Sequence, residues 1–384
     1  ITVRDLIRSS DAQAAGMAAI AKRCPTAASV SLMDLSVEAE CFGSEIRVTD
    51  DEGPTVVGAV VETMEDVERL KVPQVGNGRT GIYVEAIQKA LEQITDRPVF
   101  AGVIGPFSLA GRLMDMTQIM INCYEEPEMV HATLEKATQF LLKYIQAYKD
   151  AGAHGVVIAE PAAGLLSPDF CGEFSAPYIK RIVDAVQDDA FLVIYHNCGN
   201  TIGRMVPEIL SCGAAAYHFG NAVPMIEMLE QMPEDVLTMG NVDPVSAFRN
   251  GTPEKVREDT LRIMETCCKH KNFLISSGCD IPPATSWAAP AIPWAAPIIP
   301  RAAPCFMVPA DMVLSSAAPG APASSGRIRA APPANPARSV LYGFLYPLSY
   351  PSKWLDTEIP CCICRMGASI LSRVLPGARF LSPS

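Results

Sequence analysis

The stretch YHNCGN (195–200) sets His196 and Cys198 two residues apart at the end of the apolar run AFLVIYHNCGN. Side chains alternate between the faces of a β-strand, so residues two apart share a side. An imidazole and a thiol on one side are two of the ligands that zinc prefers. Cys279, in SSGCDIPPAT, ends another apolar run and supplies a third ligand from a neighbouring strand end. Three protein ligands with one open position is the usual catalytic zinc arrangement, and sulfur-rich ligation suits a metal that must itself hold a thiol.

Each of these residues has a plainer reading. Cysteine is among the most buried residue types, and a single pocket histidine is more often satisfied by hydrogen bonds than by a metal. Their joint occurrence at strand ends, next to glycines that open the backbone, favours the metal. Other candidates fit less well. Cys267 and Cys268 sit in an amphipathic helix, Cys212 closes a helix, and His131, His154 and His270 lie outside the strand ends. His218 does end an apolar run, but it ranks below His196 because no sulfur stands beside it. Glu160, in VVIAEPAAG, is a candidate fourth oxygen ligand in the substrate-free state or a base near the thiol; alternatively its carboxylate is held by backbone donors at the rim. Asp34 either orients something cationic or caps the helix beginning in LSVEAECFG.

The elements that must position these groups are legible as apolar runs at 28–34, 97–105, 155–160, 190–196, 214–220, 235–241 and 272–278. Between them lie helical patterns, such as Met129, Leu134, Ala137, Leu141, Ile145 and Tyr148 on one face, or Ile82, Ile87, Ala90, Leu91 and Ile94 on another. Strand and helix in alternation imply a parallel sheet, either open and doubly wound or closed into a barrel. Nearly every run ends in polar or glycine-containing text: Asp34, GPFS, EPAAG, HNCGN, HFGN, GNVDP and SGCDIPP. A barrel gathers its chemistry from many strand ends, whereas a doubly wound sheet concentrates it at one crevice. The expected fold is therefore an α/β (β/α)8 TIM-type barrel, with seven strands located and the eighth not. GNGRTG (76–81) matches a dinucleotide fingerprint in letters only, because Pro73 in the preceding LKVPQV disfavours the strand that the fingerprint needs; it is expected to be a loop before a helix starting near Ile82.

The chain has 384 residues, 49% of them hydrophobic, enough for one large barrel or two ordinary domains. A net charge of −11 without a basic cluster argues against a nucleic-acid partner. No apolar stretch approaches the roughly 20 residues of a membrane span, and ITVRDLIRSSDAQ lacks the order of a signal peptide, so a cytoplasmic protein with no membrane partner is expected. The 13 scattered cysteines then point to free thiols or metal ligands.

The text changes near residue 287. Residues 287–384 hold 16 prolines and all three tryptophans, with 8 basic against 3 acidic side chains, while residues 1–286 carry a net −16. Proline at this density excludes helices and central strands. The expected division is a catalytic barrel over 1–286 and a Pro/Ala-rich tail over 287–384 in place of the last helix. The tail fits a linker or partner ligand, with CCIC (361–364) a conceivable metal or palmitoylation site. Disorder or an out-of-frame translation is favoured, since the break falls inside a motif, and the tail is assigned no activity.

MDLSVEAECFG (33–43), AGVIGPFSLAGRL (101–113), AEPAAGLLSPDFCGEFSAPYIKRIVDAV (159–186), YHNCGNT, GNVDP and SSGCDIPPAT together resemble the uroporphyrinogen decarboxylase superfamily. The resemblance is closest to its methylcobamide:coenzyme M methyltransferase branch and spans about residues 1–286. That branch carries H-x-C and a later cysteine as zinc ligands, which map onto His196, Cys198 and Cys279. The resemblance implies a (β/α)8 barrel and transfer of a methyl group from a methylated corrinoid (methylcobamide), carried on a corrinoid-binding protein, to a small-molecule thiol such as coenzyme M. Two departures stand out: nothing before Asp34 matches the arginine-rich motif with which the decarboxylase grips carboxylates, and proline-rich text replaces the final barrel helix. The alternatives are a metal-free tetrapyrrole decarboxylase centred on Asp34 and an inactive corrinoid- or thiol-binding accessory protein.

Overall fold

A computed structural model describes residues 1–283 and 285, Pro25 and Ala284 excepted; the proposed tail, 287–384, lies outside the described residues. Among the described residues nine strands occur in chain order: β1 (Ser29–Val30), β2 (Glu45–Arg47), β3 (Thr55–Val57), β4 (Val99–Ile104), β5 (Gly155–Ala159), β6 (Leu192–Asn197), β7 (Ala216–Phe219), β8 (Leu237–Val242) and β9 (Phe273–Ser277). β2 and β3 form a small antiparallel hairpin inside the β1–β4 connection. The other seven form one parallel sheet in the order β1-β4-β5-β6-β7-β8-β9, so every strand pairs with the next large-sheet strand in the chain. These seven are the seven apolar runs. An eighth strand is not among the described residues.

The sheet curls. Strands sit about 4.8 Å apart, so β6 and β9 would be separated by about 14 Å in a flat sheet. Yet Cys279, just beyond β9, brings its Sγ within 3.6 Å of His196 Nε2 on β6. Sequential winding with this curvature is the TIM-type α/β barrel, and it excludes the doubly wound alternative, whose strand order reverses at a switch point.

Alternation along the strands sorts the core. Val157 and Ala159 of β5, Ile194 of β6, Ala216 of β7 and Met239 of β8 join Val30, Met33 and Phe100 in one apolar cluster on the concave side. Their neighbours Val156, Ile158, Val193, Tyr195, Tyr217 and Phe219 face the surrounding helices. Both faces being buried explains why the strands read as continuous apolar text. His196 follows Ile194 by two residues and His218 follows Ala216 by two, so both extend the inward rows.

The helices follow the predicted faces. Pro127–Asp150 buries Met129, Leu134, Ala137, Leu141, Ile145 and Tyr148, the i, i+3, i+4 stripe of an amphipathic helix, and Pro127 occupies its first turn, where no intrahelical donor is lost. The other predicted stripe lies along Thr80–Gln93, with Ile87 and Ala90 buried. That helix begins two residues before the expected Ile82, so residues 76–79 of GNGRTG are loop as expected while Thr80 and Gly81 already open the helix. Among the described residues no helix is long and apolar enough to cross a membrane.

Candidate metal centre

β6 carries two of the three candidate ligands to the mouth of the barrel. Residues 159 of β5, 196 of β6 and 218 of β7 are in register, so Ala159, His196 and His218 stand side by side on the inner wall. Past His196 the strand ends: Asn197 Nδ2 donates to the Glu160 carbonyl at 2.8 Å, and Gly199 N–H donates to Asn197 Oδ1 at 2.9 Å. These bonds turn the backbone so that Cys198 stays beside His196. Close approach requires glycine at 220, where a Cβ would lie 2.5 Å from both Cα and Cβ of Cys198.

The ligand atoms of His196, Cys198 and Cys279 all lie within 4.8 Å of one another. In this arrangement each sulfur acts on the other's acidity, in opposite directions. The Cys279 thiol, hydrogen bonded to Cys198, pulls Cys198 down to about 4, helped by His196 and opposed by burial. Cys198 in turn, with burial and Asp280, pushes Cys279 far up.

The hydrogen bonds settle which histidine nitrogen faces the sulfurs. His218 Nε2 lies 2.8 Å from the Ser277 carbonyl, an acceptor only, so that nitrogen carries hydrogen; Ser276 Oγ is 3.2 Å from the same atom. Burial, and His196 beside it, push His218 well below its ordinary value, so the ring is neutral and its Nδ1 is a lone pair. His196 Nδ1, 2.7 Å away, must then be the donor, and it also lies 3.2 Å from the His218 carbonyl. His196 Nε2 is then the ring nitrogen that faces Cys279. An imidazole nitrogen and two sulfurs make a donor set suited to zinc.

The two candidate carboxylates are placed differently. Glu160 is fully buried at the N-terminus of helix Pro106–Met114, accepting from Phe107 N–H at 3.0 Å and Ser108 N–H at 2.6 Å. Burial pushes it up to about 7 against the pull of those donors. These bonds match the backbone-held reading, and Glu160 is not part of the cluster. Asp34 accepts from Ser36 N–H and Oγ on Oδ1, and from Tyr83 OH and the Arg79 guanidinium on Oδ2. It thus orients a cation, Arg79, and also restrains Ser36, which precedes helix Val37–Cys41.

Four residues of this rim were not singled out in the sequence or were ranked low. His218 lacked a neighbouring sulfur, yet the inward row marked it. Arg79 lay inside the dismissed GNGRTG. Glu38, four residues after Asp34, is buried with Oε1 bonded by Ile104 N–H and Oε2 without a partner. Asp280, beside Cys279, has a buried Oδ1 without a partner, and burial pushes it up to about 7.

Comparison with known proteins shows the family and the fold. A family model described as uroporphyrinogen decarboxylase (URO-D) matches residues 1–291. The methylcobamide:CoM methyltransferase MtbA of Methanosarcina acetivorans is 32% identical over 257 residues, 66% of this chain and 74% of its own length. A uroporphyrinogen decarboxylase of Chlorobium phaeobacteroides is 26% identical over 253 residues, 63% of this chain and 70% of its own. Among solved structures, a methyltransferase from Methanosarcina mazei superposes with a TM-score of 0.69 over 76% of this chain and 86% of its own at 22% identity, a likeness of fold. With the model match extending over most of its length, the chain belongs to the uroporphyrinogen decarboxylase (URO-D) family.

Proposed function

We propose that this chain is a corrinoid-dependent methyltransferase that moves a methyl group from a methylated corrinoid to a small-molecule thiol. The observation that carries the reading is the convergence of His196 Nε2 with the sulfurs of Cys198 and Cys279 at the barrel mouth. Support comes from MtbA of M. acetivorans and from the methylated-thiol–coenzyme M methyltransferase of M. mazei, the latter 25% identical over 268 residues. His196, Cys198 and Cys279 would hold zinc, which when bound lowers the pKa of a coordinated thiol and so supplies the thiolate that attacks the methyl carbon. In the net reaction a carbon–sulfur bond forms, the carbon–cobalt bond breaks with its electron pair left on the corrinoid, and the thiol proton is released.

The chain's own residues do the positioning. His196 is presented in one tautomer, Cys198 is held by the Asn197 turn against Gly220, and Glu160 joins β5 to the helix that follows β4. The corrinoid is delivered by a corrinoid-binding protein, and the thiol is of the coenzyme M kind.

A decarboxylase centred on Asp34 needs that carboxylate for substrate, but four donors already occupy its two oxygens. The test is zinc stoichiometry of the purified chain together with turnover of methylcobalamin and a thiol. One zinc per chain and methyl thioether formation, both lost in His196→Ala, Cys198→Ala and Cys279→Ala, are expected. Metal retained in all three variants, or zinc bound without any methyl transfer, would overturn the proposal.

A further inference from the structure

A metal-bound histidine usually passes its other N–H to a carboxylate, a backbone carbonyl or water. Here the acceptor is a second imidazole. His196 Nδ1 sits 2.7 Å from His218 Nδ1, and the far nitrogen of His218 reaches the Ser277 carbonyl at 2.8 Å. The path starts on β6, passes through β7 and ends on β9, two residues before Cys279. Both rings are buried, 2% and 1% exposed, and no bulk water competes for these bonds.

We infer that His218 is a positioning residue that ties the two arms of the metal centre together. One nitrogen orients the His196 ring so that Nε2 points at the sulfurs; the other anchors the end of β9, from which Cys279 projects. The neutral imidazole suits this place because it is one acceptor and one donor on opposite sides of a rigid ring. An aliphatic side chain offers neither, and a lysine or arginine offers only donors. The inference rests on the reading of His196, Cys198 and Cys279 as ligands, and its test separates the two.

The experiment compares wild type, His218→Phe and His218→Asn for zinc affinity by competition with a chromophoric chelator. Phenylalanine keeps the ring shape and removes both bonds; asparagine restores an acceptor oxygen near the position of Nδ1. His218→Phe is expected to weaken zinc binding about 10- to 100-fold, the range for loss of such a partner, and His218→Asn to recover most of it. Equal affinity in all three proteins would overturn the inference. So would an Asn variant as weak as the Phe variant, because loss of shape alone would then explain the effect. If the Phe variant does not fold, zinc affinity of the Asn variant near wild type supports the inference, and affinity more than 10-fold weaker overturns it.

A second measurement does not need metal. Long-range nitrogen–proton NMR of the zinc-free wild type is expected to show His196 protonated at Nδ1, with that proton exchanging faster with solvent in His218→Phe. A His196 protonated at Nε2 would overturn the inference even where zinc binds. A wild type that binds no zinc but shows the Nδ1 tautomer would instead overturn the metal reading and leave the His218 bond established.

Discussion

Arg79 and Asp34, forty-five residues apart in the chain, form a buried ion pair at the rim end of β1, their side chains 9% and 2% exposed. Arg79 also donates to Ser36 Oγ at 2.9 Å and to Glu40 Oε2 at 2.6 Å, so one guanidinium stitches the loop before helix Thr80–Gln93 to helix Val37–Cys41. Removing one member of such a pair leaves the other charge buried and costs about 3–5 kcal/mol. Arg79→Leu should therefore lower the unfolding free energy by about that amount in urea titration, and the double variant Arg79→Leu/Asp34→Leu should lose less than the sum of the singles. A loss below about 1 kcal/mol for Arg79→Leu would mean that water reaches Asp34.

This pair also marks a boundary of what the sequence could reveal. Apolar runs ending in polar text located all seven large-sheet strands, because burial on both faces leaves continuous hydrophobic text and the rim interrupts it. The candidate ligands were legible for a local reason: His196 and Cys198 share a strand end, and Cys279 ends the last run. Partners chosen by tertiary contact were not legible. Arg79 meets Asp34 across a long insertion containing the β2–β3 hairpin, and no spacing rule encodes that meeting. His218 was visible as a strand-end histidine, but its work depends on the register of β6 with β7 and on the curl that brings β9 within reach.

Gly220 gives a sharper test of the site than a ligand deletion. A Cβ at this position would lie 2.5 Å from Cys198 Cα and Cβ, too close for any rotamer change to relieve. Gly220→Ala must push the Cys198 backbone away from His196. The expected result is a folded protein with zinc affinity lowered at least 10-fold, measured beside Gly53→Ala, where nothing lies within 4 Å of the added carbon and no change is expected. Unaltered affinity in Gly220→Ala would show that Cys198 does not depend on this packing.

Glu38 sets a pH dependence of folding. Burial pushes its carboxyl from 4.5 up to about 8, opposed by the Ile104 N–H bond and raised further by Asp34. The folded state thus holds the proton more tightly than the unfolded chain. The stability linked to that proton is fully present below about pH 4.5 and is lost as pH rises through about 8. Glu38→Gln keeps an acceptor for Ile104 N–H and has no proton to lose. Its urea midpoint should exceed that of the wild type at pH 8, and the gap should close as pH falls toward 4.5. Parallel curves across that window would place the charge of Glu38 in contact with water or a cation.

The position of Cys279 predicts how metal and fold are coupled. β9 is the last strand of the described sheet, and its end is held by the Ser277 bond to His218 and by the cluster of Cys279 with His196 and Cys198. A cation on these ligands would fasten the end of β9 to β6, and a ligand that binds only the folded state stabilises it by mass action. At a free zinc concentration about 100-fold above Kd the gain is about 2.7 kcal/mol, which raises the melting temperature of a domain this size by roughly 4–5 °C. Calorimetry of chelator-treated protein with and without added zinc should show this rise. Cys279→Ala removes the β9 side of the link and should abolish most of it. Magnesium, which prefers oxygen ligands, should give none. An equal rise in wild type and Cys279→Ala would locate the bound zinc away from β9 and separate the metal from the seam of the barrel.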